Sequence, residues 1–182
     1  VEEADRRIDP VEAEIRAVLG RHVYGTDGTT LEAAVLKELE DSGRTLAVAE
    51  SMTGGGLGER LTGVPGSSRS FLGGVIAYTP EAKRLLLGLE DPQIEDPVSE
   101  ATARALAESV RTRLGADFGV GITGNAGPSA DAGDKPIGLV YVAVSDAAGT
   151  KVHESRFRGT REDVRRRATQ IALTLLRDRI VE

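Results

Sequence analysis

The chain has no cysteine among its 182 residues. That removes a disulfide framework, a thiolate nucleophile and a cysteine zinc site together. Histidine is scarce too. His22 sits in a polar connector and His153 in an expected surface strand, neither near a serine motif, so a Ser-His-Asp arrangement is disfavoured. No run approaches the ~20 apolar residues of a membrane helix and no signal-peptide pattern is visible, which argues against a membrane and for the cytoplasm. A basic footprint is also missing: the formal net charge is -6 with both signs interspersed, which argues against direct nucleic-acid binding. The one basic run, Arg165-Arg166-Arg167, reads as a solvated helix face. At 19.2 kDa the chain is the size of one domain. Its opening valine and charged lead-in suggest a piece of something longer.

What the sequence does have is a stretch around which the rest arranges itself, Leu46-Ala47-Val48-Ala49-Glu50-Ser51-Met52-Thr53-Gly54-Gly55-Gly56-Leu57-Gly58. The apolar run reads as a buried strand with Ser51, Met52 and Thr53 just past its end, followed by a glycine-rich turn into a helix over residues 54–61. Glycine inside a helix costs ~1 kcal/mol relative to alanine, so three at its start call for close approach of something to the backbone. A strand's carboxyl end and a helix amino terminus together suit an anion or a developing oxyanion. The same stretch also reads as a plain glycine-rich turn that contains a serine.

Before this stretch, residues 1–8 read as frayed or linker-like, Asp9-Pro10 as a helix cap with proline in first position, and Val11, Ile15, Val18 and Leu19 as a short apolar stripe. Residues 20–28 are a connector, so the compact domain is expected over 29–182, with 1–28 as linker and short helix from a preceding domain. Thr29 and Glu32 have capping-box spacing for a helix with Leu31, Val35, Leu36 and Leu39 inward. Residues 63–68 are a loop, and 71–78 a second buried strand with Tyr78 at its end. Thr79-Pro80 opens a helix with Leu85 or Leu86 turned to the core and Lys83 in its first turn, where the helix dipole disfavours a cation. Such a place hints at a functional lysine of lowered pKa, although a solvated lysine fits the same pattern.

Residues 88–97 are a loop with two prolines. Ser99 caps a helix with Ala103, Leu106, Ala107, Val110 and Leu114 on one face and Gly115 as its stop. A third buried strand over 118–122 runs into Thr123-Gly124-Asn125-Ala126-Gly127-Pro128. The polar loop 129–135 carries Asp131 and Asp134, a pair that is more often solvated than cation-binding. Residues 138–145 and 152–157 form a hairpin. The last helix starts at Thr160 with Asp163 in the box position and Arg161, again a cation, in its first turn.

Three expected strand ends thus carry hydroxyls: Ser51 with Thr53, Tyr78, and Thr123. A parallel or mixed sheet would gather them on one edge, together with Lys83 and the Ser67-Ser68 loop. A serine nucleophile needs a base, and with histidine unavailable lysine remains; desolvation lowers its pKa so that the neutral amine accepts the serine proton. A Ser-Lys pair implies acyl transfer, most simply amide or ester hydrolysis.

Taken together, Ala49-Glu50-Ser51-Met52-Thr53-Gly54-Gly55, Pro65-Gly66-Ser67-Ser68, Ala77-Tyr78-Thr79-Pro80-Glu81-Ala82-Lys83, Val98-Ser99, Thr123-Gly124-Asn125-Ala126-Gly127-Pro128 and Lys135-Pro136-Ile137-Gly138 resemble the CinA carboxy-terminal domain family, the nicotinamide mononucleotide deamidases. The resemblance covers about residues 30–180. It implies a three-layer α/β/α sandwich on a central mixed, largely parallel sheet, and hydrolysis of the carboxamide of nicotinamide mononucleotide to nicotinic acid mononucleotide and ammonia. It implies no metal and no organic cofactor. Matching positions place the nucleophile at Ser51, its base at Lys83, and Tyr78 and Thr123 beside them. Thr53, Gly54, Gly55, Ser67, Ser68, Gly124 and Arg161 fall at substrate-binding positions. Met52 stands where the family often has cysteine, and Asn125 where an aliphatic residue is more usual. The small-molecule nucleotide is the expected partner; a homo-oligomer is compatible with the glycine-rich strands, and a preceding amino-terminal domain is expected in the full-length protein. The competing expectation is a non-catalytic nucleotide-binding or regulatory module of a competence- and DNA-damage-associated protein. A serine hydrolase of another amide or ester is a third.

Overall fold

The computed structural model describes residues 2–129 and 135–182, so Asp131 and Asp134 lie outside the described residues. Five strands form one sheet in the order β2-β1-β3-β4-β5: β1 Leu46–Glu50, β2 Phe71–Ile76, β3 Phe118–Gly124, β4 Leu139–Asp146 and β5 Gly149–Arg156. β1 pairs parallel with both β2 and β3, while β3-β4 and β4-β5 are antiparallel. The sheet is therefore mixed, with half of its pairings parallel. Helices cover both faces, as a three-layer α/β/α sandwich requires.

The layers follow from the alternation of side-chain size along the central strands. In β1, Leu46 and Val48 point to one face and Ala47 and Ala49 to the other; in β3, Phe118, Val120 and Ile122 alternate with Gly119 and Gly121. The large residues pack against α2 (Leu31–Asp41), α3 (Gly56–Thr62) and α7 (Arg161–Val181) through Leu39, Leu57, Leu61, Leu173 and Leu176. The small ones admit α6 (Glu100–Leu114) and α4 (Pro80–Leu87) through Leu106, Val110 and Leu87. The fit to α6 is tight: a Cβ on Gly121 would lie 2.4 Å from the Ala103 carbonyl oxygen, and one on Gly119 2.1 Å from that of Ala107. Forcing a methyl into such a seam typically costs ~1–3 kcal/mol. Gly121→Ala is therefore expected to lower stability by about that much, read as a lowered urea midpoint, and an unchanged midpoint would contradict the packing described.

Several local expectations need correction. α1 runs unbroken from Glu2 to Leu19 with Pro10 inside it, so Asp9-Pro10 is not its start, and Val11, Ile15, Val18 and Leu19 lie exposed. α2 is capped by Thr30, whose Oγ1 accepts from Ala33 N, rather than by Thr29. β2 is an edge strand, not a buried one, and it alternates between half-buried and exposed positions. Leu87, not Leu85 or Leu86, is the residue of α4 that enters the core; Leu85 is 80% exposed, and Leu114 at the end of α6 is exposed as well. The two-proline loop contains a short helix, α5 (Asp91–Glu95), and β3 continues to Gly124, taking Thr123 into the strand. The hairpin, the Ser99 and Thr79 caps and the Thr160–Asp163 capping box form as the residue pattern predicts.

Candidate functional site

Because β1 and β3 run parallel, they end side by side, and the chain leaving β1 remains tied to its neighbour: Ser51 N donates to Ile122 O at 3.1 Å. The turn then closes through Gly54 N to Ser51 O and Gly56 N to Thr53 O. Gly54 (φ +61°) and Gly55 (φ +95°) occupy the left-handed region, which explains the glycines without any ligand. Glu50 settles a second point. Its buried carboxylate accepts from Leu57 N (3.1 Å) and Gly58 N (2.8 Å), so the start of α3 is already filled by the chain's own anion. The helix terminus that the sequence offers to a substrate anion is therefore taken, and the turn's remaining donors are the N–H groups of Met52, Thr53 and Gly55, which have no acceptor among the described residues.

A cavity of about 280 Å³ opens at these strand ends. Ser51, Tyr78, Lys83, Thr123, Gly124 and Arg161 share its wall with Met52, Asn125 and the Pro97-Val98 segment. Its volume falls just below the usual range of small-molecule sites, roughly 300–1,000 Å³. A larger and shallower hollow, about 520 Å³, lies between α4 and α6 but contains neither Ser51 nor Lys83.

Lys83 is the fourth residue of α4, held there by the Thr79 cap (Ala82 N to Thr79 Oγ1, 3.1 Å) and by Pro80 in first position. Only 2% of the residue is exposed, and its ammonium has no hydrogen-bond or ion-pair partner among the described residues. Burial of that unpaired charge holds its pKa below the ordinary lysine value of 10.5. Ser51 is 8% exposed, which leaves its hydroxyl reachable only from the cavity. The Thr123 hydroxyl donates to Pro97 O at 2.5 Å, so its proton is engaged and the oxygen can act only as an acceptor. Arg161, first residue of α7, donates to Tyr78 OH (2.8 Å) and Gly127 O (2.7 Å), bridging two sides of the mouth.

Not every expected residue reaches this wall. Thr53 is buried beneath the turn, and Gly54 and Gly55 shape the turn without lining the cavity. Ser67 and Ser68 stand in a 3-10 turn that leads into β2, and Ser70 O accepts from Leu46 N at the start of β1. They therefore lie at the opposite end of the parallel strands from Ser51, and a single chain does not bring them to the cavity. The gathering of all hydroxyls on one edge needs that correction.

Two residues to which the sequence pattern assigns no role in the site shape it. Arg165, read as part of a solvated face, instead reaches under the turn and donates from Nη2 to Thr53 O at 2.7 Å. Nearby, Arg165 Nε and Thr53 Oγ1 are both buried with no hydrogen-bond partner among the described residues. A Cβ at Gly54 would sit 3.2 Å from that guanidinium, so the turn and the arginine are fitted to each other. Arg165→Met is expected to lower stability by ~1.5–3 kcal/mol, the usual worth of a hydrogen bond to a charged group, read as a lowered urea midpoint; no change would mean the contact does not hold the turn. Asn125 is the second. Its side chain donates to Lys135 O and accepts from Gly127 N, both at 2.9 Å, and its backbone pairs with Leu139 and Gly138. A polar residue at this place ties down both ends of the loop beside the cavity, which an aliphatic one does not.

The CinA C-terminal domain family model matches residues 28–180. The chain belongs to that family. Relatives named CinA-like protein include one from Acidobacterium capsulatum, 48% identical over 182 residues covering 98% of this chain, and one from Thermosynechococcus vestitus, 49% identical over 184 residues covering 98%. Each match takes in 44% of the relative's own length, so the chain spans less than half of the curated relatives it matches. Among solved structures, a CinA superfamily protein from Klebsiella pneumoniae aligns with TM-score 0.79 at 29% identity, over 83% of this chain and 96% of that one. The competence/damage inducible protein of Agrobacterium tumefaciens aligns with TM-score 0.78 at 32% identity, over 84% and 94%. CinA membership and the mixed α/β fold are thus established for this chain. Among its described residues no cluster of three His, Cys, Asp or Glu could hold a metal, and no helix is long and apolar enough to cross a membrane.

Proposed function

We propose that this domain hydrolyses the carboxamide of nicotinamide mononucleotide, releasing ammonia and nicotinic acid mononucleotide, and that it does so in the cytoplasm. The observation that carries the reading is a lysine buried without a counter-ion on the wall of the cavity that Ser51 also lines. An amine so placed gives up its proton more readily than an ordinary lysine, which is what a general base needs.

In the proposed sequence Ser51 Oγ attacks the carboxamide carbon as Lys83 Nζ takes its proton. Lys83 then returns that proton to the departing nitrogen, the C–N bond breaks, and ammonia leaves an acyl-serine. Water attacks the ester with Lys83 again as base, and Ser51 Oγ is reprotonated as the carboxylate departs. The Met52 N–H, on the cavity wall and without an acceptor among the described residues, is the candidate oxyanion donor, such a donor being worth ~3–4 kcal/mol in well-studied hydrolases. The cationic pyridinium of the substrate further disfavours an ammonium beside it. Arg161 is the candidate for the 5'-phosphate, with Tyr78 positioned by it. Thr123 is the candidate acceptor for the carboxamide N–H. Residues 1–28, outside most of the family match, are assigned to a link from a preceding domain.

The test is incubation of the protein with nicotinamide mononucleotide and assay of ammonia and nicotinic acid mononucleotide. Stoichiometric, enzyme-proportional release of both is expected. Tight binding of the mononucleotide without release would replace this reading with that of a silent binding module.

A further inference from the structure

Of the three consecutive arginines on α7, Arg166 and Arg167 are exposed and only Arg165 is half-buried. Half-buried arginines elsewhere in the chain hold carboxylates: Arg60 meets Glu32 at 2.7 Å, Arg177 meets Glu38 at 2.9 Å and Arg179 meets Asp146 at 2.7 Å. Arg165 meets none among the described residues. Its one hydrogen bond there runs from Nη2 to the backbone oxygen of Thr53, and its Nε is buried without a partner. A guanidinium withdrawn from water without a counter-ion is destabilising, and a single carbonyl offsets little of that. The reason for Arg165 is therefore to be sought in the turn it holds.

The peptide planes of that turn show what the bond controls. A trans peptide points its C=O and N–H in opposite directions, and the only cis bond among the described residues is Gly127-Pro128. Thr53 O is drawn to Arg165 at 2.7 Å, which turns the N–H of the same peptide, that of Gly54, the other way, onto Ser51 O at 3.0 Å. Ser51 O is thereby tied into the turn, so the N–H of its own peptide, that of Met52, faces away from it. Met52 lines the cavity, and its N–H has no acceptor among the described residues. Three donors in series thus run from the guanidinium to the cavity, each polarised by the one before it. Local sequence does not fix this order. Gly54 (φ +61°) and Gly55 (φ +95°) leave the adjoining peptide planes freer to rotate than any other residue type would, and the second bond to Thr53 O, from Gly56 N, is long at 3.2 Å. The arginine arrives from a rigid element instead. Arg161 at the cavity mouth and Arg165 lie four residues apart on one face of α7, whose start the Thr160–Asp163 capping box fixes.

We infer that Arg165 is a positioning residue for hydrolysis: its bond to Thr53 O sets the plane of the Thr53-Gly54 peptide and, through Gly54 N and Ser51 O, aims the Met52 N–H at the developing oxyanion. It touches neither substrate nor cavity and acts through the turn alone. The catalytic consequence rests on the hydrolase reading above; the hold on the turn does not.

Arg165→Met removes the donor and the charge and keeps a long side chain. Assayed well below its thermal midpoint, the folded variant is expected to lose ~10- to 100-fold in kcat, part of the ~10²–10³-fold that loss of an oxyanion donor costs, with KM unchanged. The rise of kcat/KM with pH should stay in place, since Lys83 owes its lowered pKa to burial and not to this cation. Amide hydrogen exchange should find the Gly54 N–H protected in the wild type and exchanging ~10-fold or more faster in the variant. If Arg165→Met does not fold, Arg165→Lys carries the same comparison: the charge and a compact donor remain, and a ~10-fold loss in kcat at constant KM is expected. Undiminished kcat in a folded variant, a rise in KM alone, or a shifted pH profile would overturn the positioning role. Equal Gly54 exchange in variant and wild type would overturn the hold on the turn. If the wild type releases no ammonia while Gly54 exchange still rises in Arg165→Met, the hold stands and the proposed reaction fails, taking the catalytic consequence with it.

Discussion

Ser51→Ala is expected to lower kcat for ammonia release from nicotinamide mononucleotide by ~10⁴-fold or more, the scale on which a hydrolase loses its nucleophile. Folding should survive. The backbone at this position is held by Ser51 N donating to Ile122 O and by Ser51 O accepting from Gly54 N, neither of which involves the side chain. Calorimetric titration with nicotinic acid mononucleotide should therefore still show binding, and the thermal midpoint should stay close to that of the wild type. The other hydroxyls offer weak substitutes. Thr53 is buried off the cavity wall, Thr123 is engaged with Pro97 O, and Ser68 belongs to the opposite end of the sheet in its own chain. Retained turnover in Ser51→Ala, with folding intact, would remove the assignment.

Lys83→Met should separate activity from stability. Loss of a general base typically lowers the rate ~10²–10⁴-fold. Stability should move the other way, because methionine fills the same buried space without a charge to desolvate. The pH dependence has a definite sign. The folded-state pKa of Lys83 lies below the ordinary 10.5, so the unfolded chain binds the proton more readily than the folded one. At pH values below the folded pKa the native state must bury an ammonium, and the cost is then complete. It shrinks as pH rises through the folded pKa and disappears above 10.5. The stability advantage of Lys83→Met over wild type is thus expected to be largest at pH values below the folded pKa and to narrow as pH rises toward 10.5, each kcal/mol appearing as ~2–4 °C in the thermal midpoint. For the wild type, kcat/KM should climb with pH as Lys83 loses its proton and then level off, at a pH below that of an ordinary lysine. An equal melting curve for the two proteins at every pH would mean that Lys83 carries no burial penalty.

How much of this was legible beforehand depends on the range of the interactions. Elements came from local pattern: the alternation Leu-Ala-Val-Ala and Phe-Gly-Val-Gly-Ile, the Thr79-Pro80 and Ser99 caps, and the Thr160–Asp163 box act within a few residues of themselves. The convergence of Ser51, Lys83, Tyr78 and Thr123 on one cavity is also readable, since strands that run parallel end together and Lys83 follows one of those ends closely; Arg161 comes only from the family resemblance. Long-range choices were not. Glu50 appeared as the last residue of an apolar strand, and nothing near it signals that its carboxylate will cap α3. Arg165 looked like one of three equivalent arginines, and only the 112-residue separation closed by its bond to Thr53 O distinguishes it. The motif places Ser67 and Ser68 at the site, whereas strand direction puts them at the start of β2 rather than beyond its end. Edge or centre is likewise decided by strand order, so β2 looked as buried as β1 until its place in the sheet was known.

The most direct test of the Ser51–Lys83 pairing is a crystal structure of the protein with nicotinic acid mononucleotide bound. The pyridine ring is expected in the cavity, with its carboxylate carbon within ~3.5 Å of Ser51 Oγ and Lys83 Nζ within hydrogen-bond reach, ~2.6–3.2 Å, of that hydroxyl directly or through one water. A mononucleotide seated elsewhere, or one in this cavity with its carboxylate turned away from both groups, would contradict it.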